Sequence, residues 1–292
     1  MAAKLDAYQS KARRDLFVPI AFTLAIRLEQ ATYAELAEDP GFAAFTLRST
    51  LKLFKADGIV NWFDPWLEAE AAGAAVARDD LGRAAGAPAA PKALPDAKDF
   101  IAAAPIARVL DLTRRLCAET KDDALVFGTL TGPLGLARRL APKGKKGAEA
   151  VRAVAPLSLA LAKEYCEAGV SALLIAEEEA VASAEALKPL DALLNLANYY
   201  GTPAILLCRA PVDAAARKDI AALGFRLVAA PDGGDKAHAV PGDMLADPAG
   251  AKAWVAAQAG SRGGRLFLTD WDMAPETAPE AVMAWQAAIA GV

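Results

Sequence analysis

The stretch EAGVSALLIAE, residues 167–177, joins the end of a helix to a buried strand through Gly169. Glycine commonly follows the last turn of a helix, because it adopts the left-handed conformation without strain. The apolar run after it is typical of a parallel strand that is covered on both faces. The same order of helix, glycine and short apolar strand recurs around Gly201 and Gly224. This pattern predicts an α/β protein built from repeated strand–helix units.

Short apolar segments along the chain are the candidate strands. Most are rich in Val, Ile, Leu or Phe, as expected of strands that are buried on both faces. They are residues 18–23, 58–63, 124–129, 171–176, 203–208, 225–229 and 265–269, with 238–240 as a weaker candidate. About eight strand–helix units in one chain favour a closed barrel over an open sheet, so we expect a single (β/α)8 TIM barrel.

Longer helical patterns lie between these strands. Residues 40–55 place apolar side chains near one helical stripe, and Asp39 is the expected N-cap. Further helices are predicted at residues 149–168, 185–200 and 212–223.

Two segments interrupt the strand–helix pattern. The Pro/Ala-rich residues 84–95 and the basic residues 142–147 are predicted to be surface loops. No composition shift divides the chain, so residues 1–292 are expected to form one domain.

Composition narrows the class of protein. A chain of 292 residues suits one large barrel, and no stretch approaches the roughly 20 apolar residues of a membrane-spanning helix. The basic N-terminal residues are not followed by an apolar segment, so we expect no signal peptide. Three widely spaced cysteines argue against a disulfide framework, and a cytoplasmic protein is expected. The net charge of −4 gives no general attraction to nucleic acid or anionic membranes.

Several kinds of site are disfavoured by what the sequence lacks. It contains neither GxGxxG nor a P-loop, the strongest signals of phosphate-binding loops. His238 is the only histidine, which leaves little room for a Ser–His–Asp triad or a His-rich metal site. His238 lies in a polar stretch, and a surface or structural role is the preferred interpretation.

Polar residues just past the carboxyl ends of barrel strands are the candidates for function. After the second strand come Asn61, Trp62, Asp64 and Trp66, with Phe63 among them. A carboxylate among three aromatic side chains is partly shielded from water, which raises its pKa and suits proton transfer. The alternative, that Asp64 only caps the turn before Pro65, is equally compatible with the sequence.

The next two strands are also followed by charged residues. A helix begins after the third predicted strand and carries Arg138 and Arg139. Its first amides and the two guanidinium groups could together bind a carboxylate. The simpler alternative is a pair of surface arginines. Glu177, Glu178 and Glu179 follow the fourth strand. Three adjacent carboxylates cannot all face one way, so we expect one of them to point inward.

Cys208 ends the fifth predicted strand, and Arg209 follows it. The thiol is either buried and inert, or its pKa is lowered by the arginine so that it serves as a nucleophile or a ligand for a soft metal. Asp270 and Asp272 follow the last strand. Together with Asp64 they predict an acidic ring, completed by Glu177, at the mouth of the barrel.

In chain order, these motifs resemble the superfamily of uroporphyrinogen decarboxylases and corrinoid- and coenzyme-M-linked methyltransferases. The resemblance covers nearly the whole chain, and the EAEAAG ending of its best motif is closer to the methyltransferase branch. It implies a TIM barrel with a wide mouth. The motifs are IVNWFDPWLEAEAAG (59–73), GTLTGPLGLARRL (128–140), EAGVSALLIAE (167–177), PAILLC (203–208) and APETAPEAVMAW (274–285).

The sequence departs from the family pattern at several functional positions. Of the two arginines that grip propionate groups in the decarboxylases only Arg27 is present, out of register, and the family's late histidine falls near Trp271. Of the zinc ligands of the methyltransferases only Cys208 remains, because Leu206 replaces the histidine and the late cysteine falls near Asp272. Zinc prefers nitrogen and sulfur ligands, so we expect no zinc site.

The resemblance therefore implies a methyltransferase that uses a corrinoid (cobalamin) or tetrahydrofolate as co-substrate. Two alternatives remain open: a decarboxylase or lyase acting on a carboxylated substrate, and a non-catalytic partner subunit. The partners left open are a small-molecule substrate, a corrinoid protein and a second copy of the chain, whereas nucleic acid and membranes are not expected. The predicted catalytic residues are Asp64 and Glu177, and the predicted substrate-binding residues are Asn61, Trp62, Trp66, Arg138, Arg139, Cys208, Asp270 and Asp272.

Overall fold

The computed structural model describes residues 3–121, 123–140, 145–234, 236–260 and 263–291. Within these ranges, eight strands run parallel to their neighbours, and two more form a separate antiparallel hairpin, β3–β4. The strands are β1 (Leu16–Val18), β2 (Gly58–Val60), β3 (Ala75–Arg78), β4 (Ala84–Ala89), β5 (Leu125–Thr131), β6 (Ala172–Glu177), β7 (Ala204–Cys208), β8 (Leu227–Ala229), β9 (Ala237–Val240) and β10 (Leu266–Thr269).

The parallel strands follow chain order around a barrel. One hydrogen-bonded ladder runs β2-β5-β6-β7-β8, and a second runs β9-β10-β1. The ladders meet where β1 lies beside β2 and where β8 lies beside β9. At the first of these seams, the amide of Asp57 donates to the carbonyl of Phe17 at 2.9 Å, and the amide of Phe17 donates to the Asp57 carboxylate at 2.9 Å. The predicted α/β barrel of the TIM type is confirmed.

Helices cover the outside of the barrel. Because both faces of the sheet are covered, most strand residues are buried. The helices are α1 (Lys4–Ala12), α2 (Phe22–Leu28), α3 (Tyr33–Glu38), α4 (Pro40–Phe54), α5 (Leu67–Ala71), α6 (Ala97–Ala102), α7 (Ala104–Thr120), α8 (Pro133–Leu140), α9 (Gly147–Ala168), α10 (Asp191–Tyr200), α11 (Ala214–Ala222), α12 (Ala251–Ala257) and α13 (Pro279–Ala290), with 3-10 turns at Ala184–Leu190, Met244–Ala246 and Pro248–Gly250.

The helix ends follow the sequence signals. Gly169 and Gly201 cap α9 and α10 with φ angles of 84° and 66°, in the left-handed region that favours glycine. Asp39 caps α4, as predicted, by accepting hydrogen bonds from the amides of Gly41 and Phe42 at 2.8 and 3.0 Å.

Three predicted elements end earlier or break. The strand expected at residues 58–63 stops at Val60. The strand expected at residues 18–23 stops at Val18, and helix α2 begins at Phe22. Pro19 lies just past the strand and has no amide hydrogen to extend the ladder. The helix expected at residues 185–200 splits into a 3-10 turn and α10, with Pro189 inside the turn.

The segment 84–95 is only partly the predicted loop. Residues Ala84–Ala89 form β4 and pair with β3, with a register shift between Ala75 and Ala77. The shift falls opposite the stretch that contains Pro88, which has no amide to donate. Of the other predicted loop, residues 142–144 lie outside the described residues, and α9 begins at Gly147. None of the described helices has the length and hydropathy needed to cross a bilayer.

Candidate active site

The carboxyl ends of the parallel strands open on one side of the barrel, and four predicted site residues lie there. Asp64 comes shortly after β2, Glu177 and Cys208 end β6 and β7, and Asp270 follows β10. Glu177 and Cys208 are neighbours in the strand register. Active sites of this fold are built at this end of the barrel. The four residues nevertheless have different surroundings.

Asp64 is held by three partners, and its side chain is only 4% exposed. The amide of Trp66 donates to Oδ1 at 2.9 Å, and the hydroxyl of Tyr33 donates to Oδ2 at 2.8 Å. The guanidinium of Arg78 lies 2.7 Å from Oδ2. Asp64 therefore both caps its turn and forms a shielded, ion-paired carboxylate with a fixed orientation.

Arg78 reaches Asp64 from the β3–β4 hairpin. It also pairs with Glu70 at 2.6 Å, donates to the carbonyl of Gly82 at 2.7 Å and covers the ring of Tyr33 at 4.7 Å. A Cβ on Gly82 would lie 2.0 Å from that ring, so this turn requires glycine. Sequence reasoning missed both Tyr33 and Arg78. The short alternation AVAR, followed by the turn residues DDLG, was the only signal of a hairpin here.

Asp272 lies at the start of α2. Its carboxylate accepts hydrogen bonds from the amides of Phe22 and Thr23 at 2.7 and 3.1 Å and thereby caps that helix. Burial raises the pKa of Asp272 to about 7, and the negative charge of Asp64 raises it further to a smaller extent. This carboxyl group therefore exchanges its proton close to neutral pH.

A cavity of about 300 Å³ opens beside these two carboxylates. Its walls are the start of α2, the segment after β2, the β3–β4 hairpin and the segment after β10. Asp64, Asp272, Trp66 and Trp271 all line it. The carboxylates of two predicted site residues, Asp64 and Asp272, therefore line the same cavity at the mouth of the barrel.

Asn61 and Trp62 do not line this cavity. The Asn61 side chain is fully buried, donating to the Thr113 hydroxyl at 2.8 Å and accepting from the amides of Trp62 and Thr129 at 2.8 and 3.0 Å. The Trp62 ring packs against Phe22 at a centroid distance of 4.5 Å. Both side chains pack in the core beside β2 and do not reach this cavity.

Glu177 is the inward-pointing member of its acidic triplet, as predicted. It is fully buried and accepts hydrogen bonds from the amides of Leu134, Gly135 and Glu179 at 2.8, 3.0 and 3.0 Å. Burial raises its pKa to about 6. It does not line the cavity, and its hydrogen bonds to Leu134 and Gly135 hold the start of α8.

Arg138 and Arg139 are paired with carboxylates of the chain itself. Arg139 is 3% exposed, contacts Glu178 and lies 4.8 Å above the ring of Trp66. Arg138 pairs with Glu178 at 3.3 Å and also contacts Glu179. The predicted site for an external carboxylate is thus filled, because Glu178 and Glu179 bind the guanidiniums and Glu177 binds the helix amides.

The thiol of Cys208 is fully buried, and burial raises its pKa to about 12. Arg209 does not activate it: the guanidinium lies 5.3 Å from the ring of Trp271 and 3.5 Å from Glu178. Of the two alternatives, the structure therefore favours the buried thiol. In the described part of the chain, no three His, Cys, Asp or Glu side chains are placed to hold a metal ion.

This geometry predicts that Cys208 is unreactive in the folded protein. With a pKa of about 12, only roughly 10⁻⁴ of the thiol is ionised at pH 8, and it is shielded from reagent as well. Iodoacetamide labelling followed by peptide mass spectrometry should modify the partly exposed Cys117 first and Cys208 only after denaturation. Labelling of native Cys208 as fast as Cys117 would show that the thiol is accessible and activated.

Two further acidic residues lie at the mouth. Asp270, close to Gly242, has a pKa raised by burial and does not line the cavity. Glu68 is buried, accepts from the amide of Thr131 at 2.9 Å and has a pKa raised to about 7 by burial. The sequence EAEAAG does not distinguish the buried Glu68 from its neighbour Glu70.

One comparison with known proteins identifies the family, and another identifies the fold. The family model described as uroporphyrinogen decarboxylase (URO-D) matches residues 22–199. The solved structure of a methyltransferase from Methanosarcina mazei superimposes with a TM-score of 0.73 at 17% identity, covering 99% of this chain and 98% of that one. An N-acetylneuraminate lyase from Fusobacterium nucleatum gives a TM-score of 0.43 at 8% identity, covering 95% of this chain and 76% of that one. No curated protein matches the sequence.

Proposed function

The chain belongs to the uroporphyrinogen decarboxylase family, and we propose that it is a methyltransferase that moves a methyl group between a small molecule and a corrinoid or tetrahydrofolate carrier. The similarity in fold to the Methanosarcina mazei methyltransferase supports this choice within the family. In this proposal the small molecule occupies the cavity beside Asp64 and Asp272. The carrier approaches from the open mouth of the barrel.

The observation that carries the proposal is the charge of the cavity wall. Asp64, Asp272 and Glu276 line it, whereas Arg83 is the one basic lining residue within the described ranges. Arg83 is already paired with Asp79 at 2.7 Å. An enzyme that decarboxylates an acidic substrate needs cations to hold its carboxylates. The acidic wall suits methyl transfer better, because a nitrogen that gains a methyl group gains positive charge.

Asp64 and Asp272 supply the electrostatic part of this mechanism. The hydrogen bonds to Asp64 fix its carboxylate before the substrate arrives, so little reorganisation is needed as charge develops. Asp272 titrates near neutral pH and adds a second negative charge once deprotonated. A rate that depends on deprotonated Asp272 should rise as pH increases through about 7.

The proposal predicts carrier-dependent methyl transfer. The protein is incubated with methylcobalamin or 5-methyltetrahydrofolate and a mixture of small thiols and amines, and loss of the methylated carrier is followed by absorbance and mass spectrometry. We expect transfer with at least one carrier, and none with heat-denatured protein. Release of CO₂ from a porphyrinogen without transfer from either carrier would support the decarboxylase alternative. The absence of both reactions would support a non-catalytic partner.

A further inference from the structure

The cavity beside Asp64 is lined by aromatic side chains as well as carboxylates. Phe63 and Trp271 meet edge to face with ring centroids 5.0 Å apart, and Phe22 and Tyr33 meet in the same way at 6.2 Å. Trp66 completes the aromatic part of the wall. The faces of aromatic rings carry partial negative charge and attract cations.

Guanidinium groups of the chain itself already pack against three of these rings. Arg78, Arg139 and Arg209 lie 4.7, 4.8 and 5.3 Å from the rings of Tyr33, Trp66 and Trp271. Each guanidinium covers one face of its ring, so a ligand meets the remaining surface. Among the described residues that line the cavity, the rings of Phe22 and Phe63 have no guanidinium over them, although each is largely buried.

The charges of the wall favour the same kind of ligand. Three carboxylates line the cavity, and Arg83, the basic residue among its described lining residues, has its own partner in Asp79. Arg78, which pairs with Asp64, is also bound to Glu70. A cation in the cavity therefore meets an excess of negative charge, whereas an anion is repelled.

The volume of about 300 Å³ lies at the lower end of the range of small-molecule pockets, which is about 300–1,000 Å³. Aromatic rings and carboxylates line this cavity together, and aromatic cages of this kind bind quaternary ammonium groups in proteins. A small amine with a methylated nitrogen matches both the volume of the cavity and the negative charge of its wall.

We infer that this cavity binds a small methylated amine, and that the nitrogen of this amine is the atom that exchanges the methyl group. The inference rests on the proposed function for the exchange, but not for the binding. In the methylation direction, the nitrogen lone pair forms the new N–C bond while the bond from the methyl carbon to the carrier breaks. The bonding pair stays on the carrier, and the nitrogen becomes a cation that Asp64 and Asp272 stabilise.

Binding is tested with a matched pair of ligands on the wild-type protein. Choline carries a quaternary nitrogen, and 3,3-dimethyl-1-butanol has the same shape with a neutral carbon in its place. Isothermal titration calorimetry should show choline binding at least about tenfold more tightly, since cation–π contact and nearby carboxylates act on the charged ligand alone. Equal affinities, or binding of neither ligand, would overturn the inference.

Variants locate the ligand in the cavity. Phe63→Leu should weaken choline binding by at least about fivefold while leaving the weak binding of the neutral analogue nearly unchanged. Tyr199→Leu is the control, because Tyr199 is 84% exposed on α10 and does not line the cavity. Circular dichroism of each variant establishes that it is folded. An equal effect of both variants, or none from Phe63→Leu, would place choline elsewhere and contradict the inference.

The outcomes separate the binding of an amine from the proposed methyl transfer. Choline binding in the cavity without transfer of a methyl group from either carrier to dimethylethanolamine would retain the amine site and refute exchange at its nitrogen. Methyl transfer to a thiol, without binding of choline, would retain the proposed methyltransferase function and refute the amine site. Transfer to dimethylethanolamine together with choline binding supports both.

Discussion

Asp64→Asn is expected to lower the turnover of methyl transfer by about 10²–10³-fold, the usual effect of removing one preorganised electrostatic contact to developing charge. The substitution removes the negative charge but keeps one side-chain oxygen to accept from the amide of Trp66, and the NH2 group that replaces Oδ2 can donate to the hydroxyl of Tyr33 instead of accepting from it. Arg78 keeps its ion pair with Glu70 at 2.6 Å, so the guanidinium is not left without a partner. The free energy of unfolding should therefore fall by only about 1 kcal/mol.

The two measurements on this variant separate the alternatives that the sequence leaves open at Asp64. Loss of turnover with a nearly unchanged melting temperature identifies the carboxylate as part of the reaction site. Retained turnover with a lowered melting temperature identifies it as a turn cap only. The matched control is Asp111→Asn, since Asp111 lies in a surface pair with Arg115 and is 47% exposed, and it should change neither quantity.

The barrel could be predicted because its signals are local. A helix that ends at Gly169 or Gly201, followed by a few apolar residues, specifies a strand–helix unit without reference to the rest of the chain. Two of the errors fall at prolines. Pro19 shortened one predicted strand, and Pro189 broke one predicted helix.

The site was predicted only in part, for a physical reason. The position of Asp64 follows from the end of its strand, but the partners that fix its carboxylate come from distant segments, Tyr33 at the start of α3 and Arg78 on the hairpin. Adjacency in sequence was also misleading. Arg209 follows Cys208 directly but packs on Trp271, so the thiol keeps a high pKa. Side-chain partners depend on tertiary packing that no local pattern contains.

The ion pair between Asp15 and Arg265 also depends on tertiary packing, and it lies at the opposite end of the barrel. Asp15 precedes β1 and Arg265 precedes β10, and these side chains are 4% and 2% exposed. The two charges meet at 2.5 Å. The guanidinium also donates to the carbonyls of Val255 and Gln258 at 3.1 and 3.0 Å. The pair thus joins the neighbouring strands β1 and β10 at their amino-terminal ends.

Asp15→Ala is expected to lower the free energy of unfolding by about 3–5 kcal/mol, because it leaves the Arg265 guanidinium buried without its counter-charge. It also removes the acceptor for the amide of Gly263, which donates to the Asp15 carboxylate at 2.8 Å. Urea unfolding followed by circular dichroism measures the loss as a lower midpoint. Asp111→Ala is the control, because removing half of an exposed pair costs about 1 kcal/mol or less.

The double variant Asp15→Ala with Arg265→Met distinguishes a stranded charge from a lost contact. If the cost of Asp15→Ala comes from the buried guanidinium, removing that charge as well should recover part of the stability, so the double variant loses less than the two single variants together. Strictly additive losses, or an Asp15→Ala midpoint equal to that of Asp111→Ala, would show that the ion pair does not fasten β1 to β10. If the double variant regains the urea midpoint of the wild type, a packed, uncharged side chain at this position is enough for stability and the ion pair itself is not required.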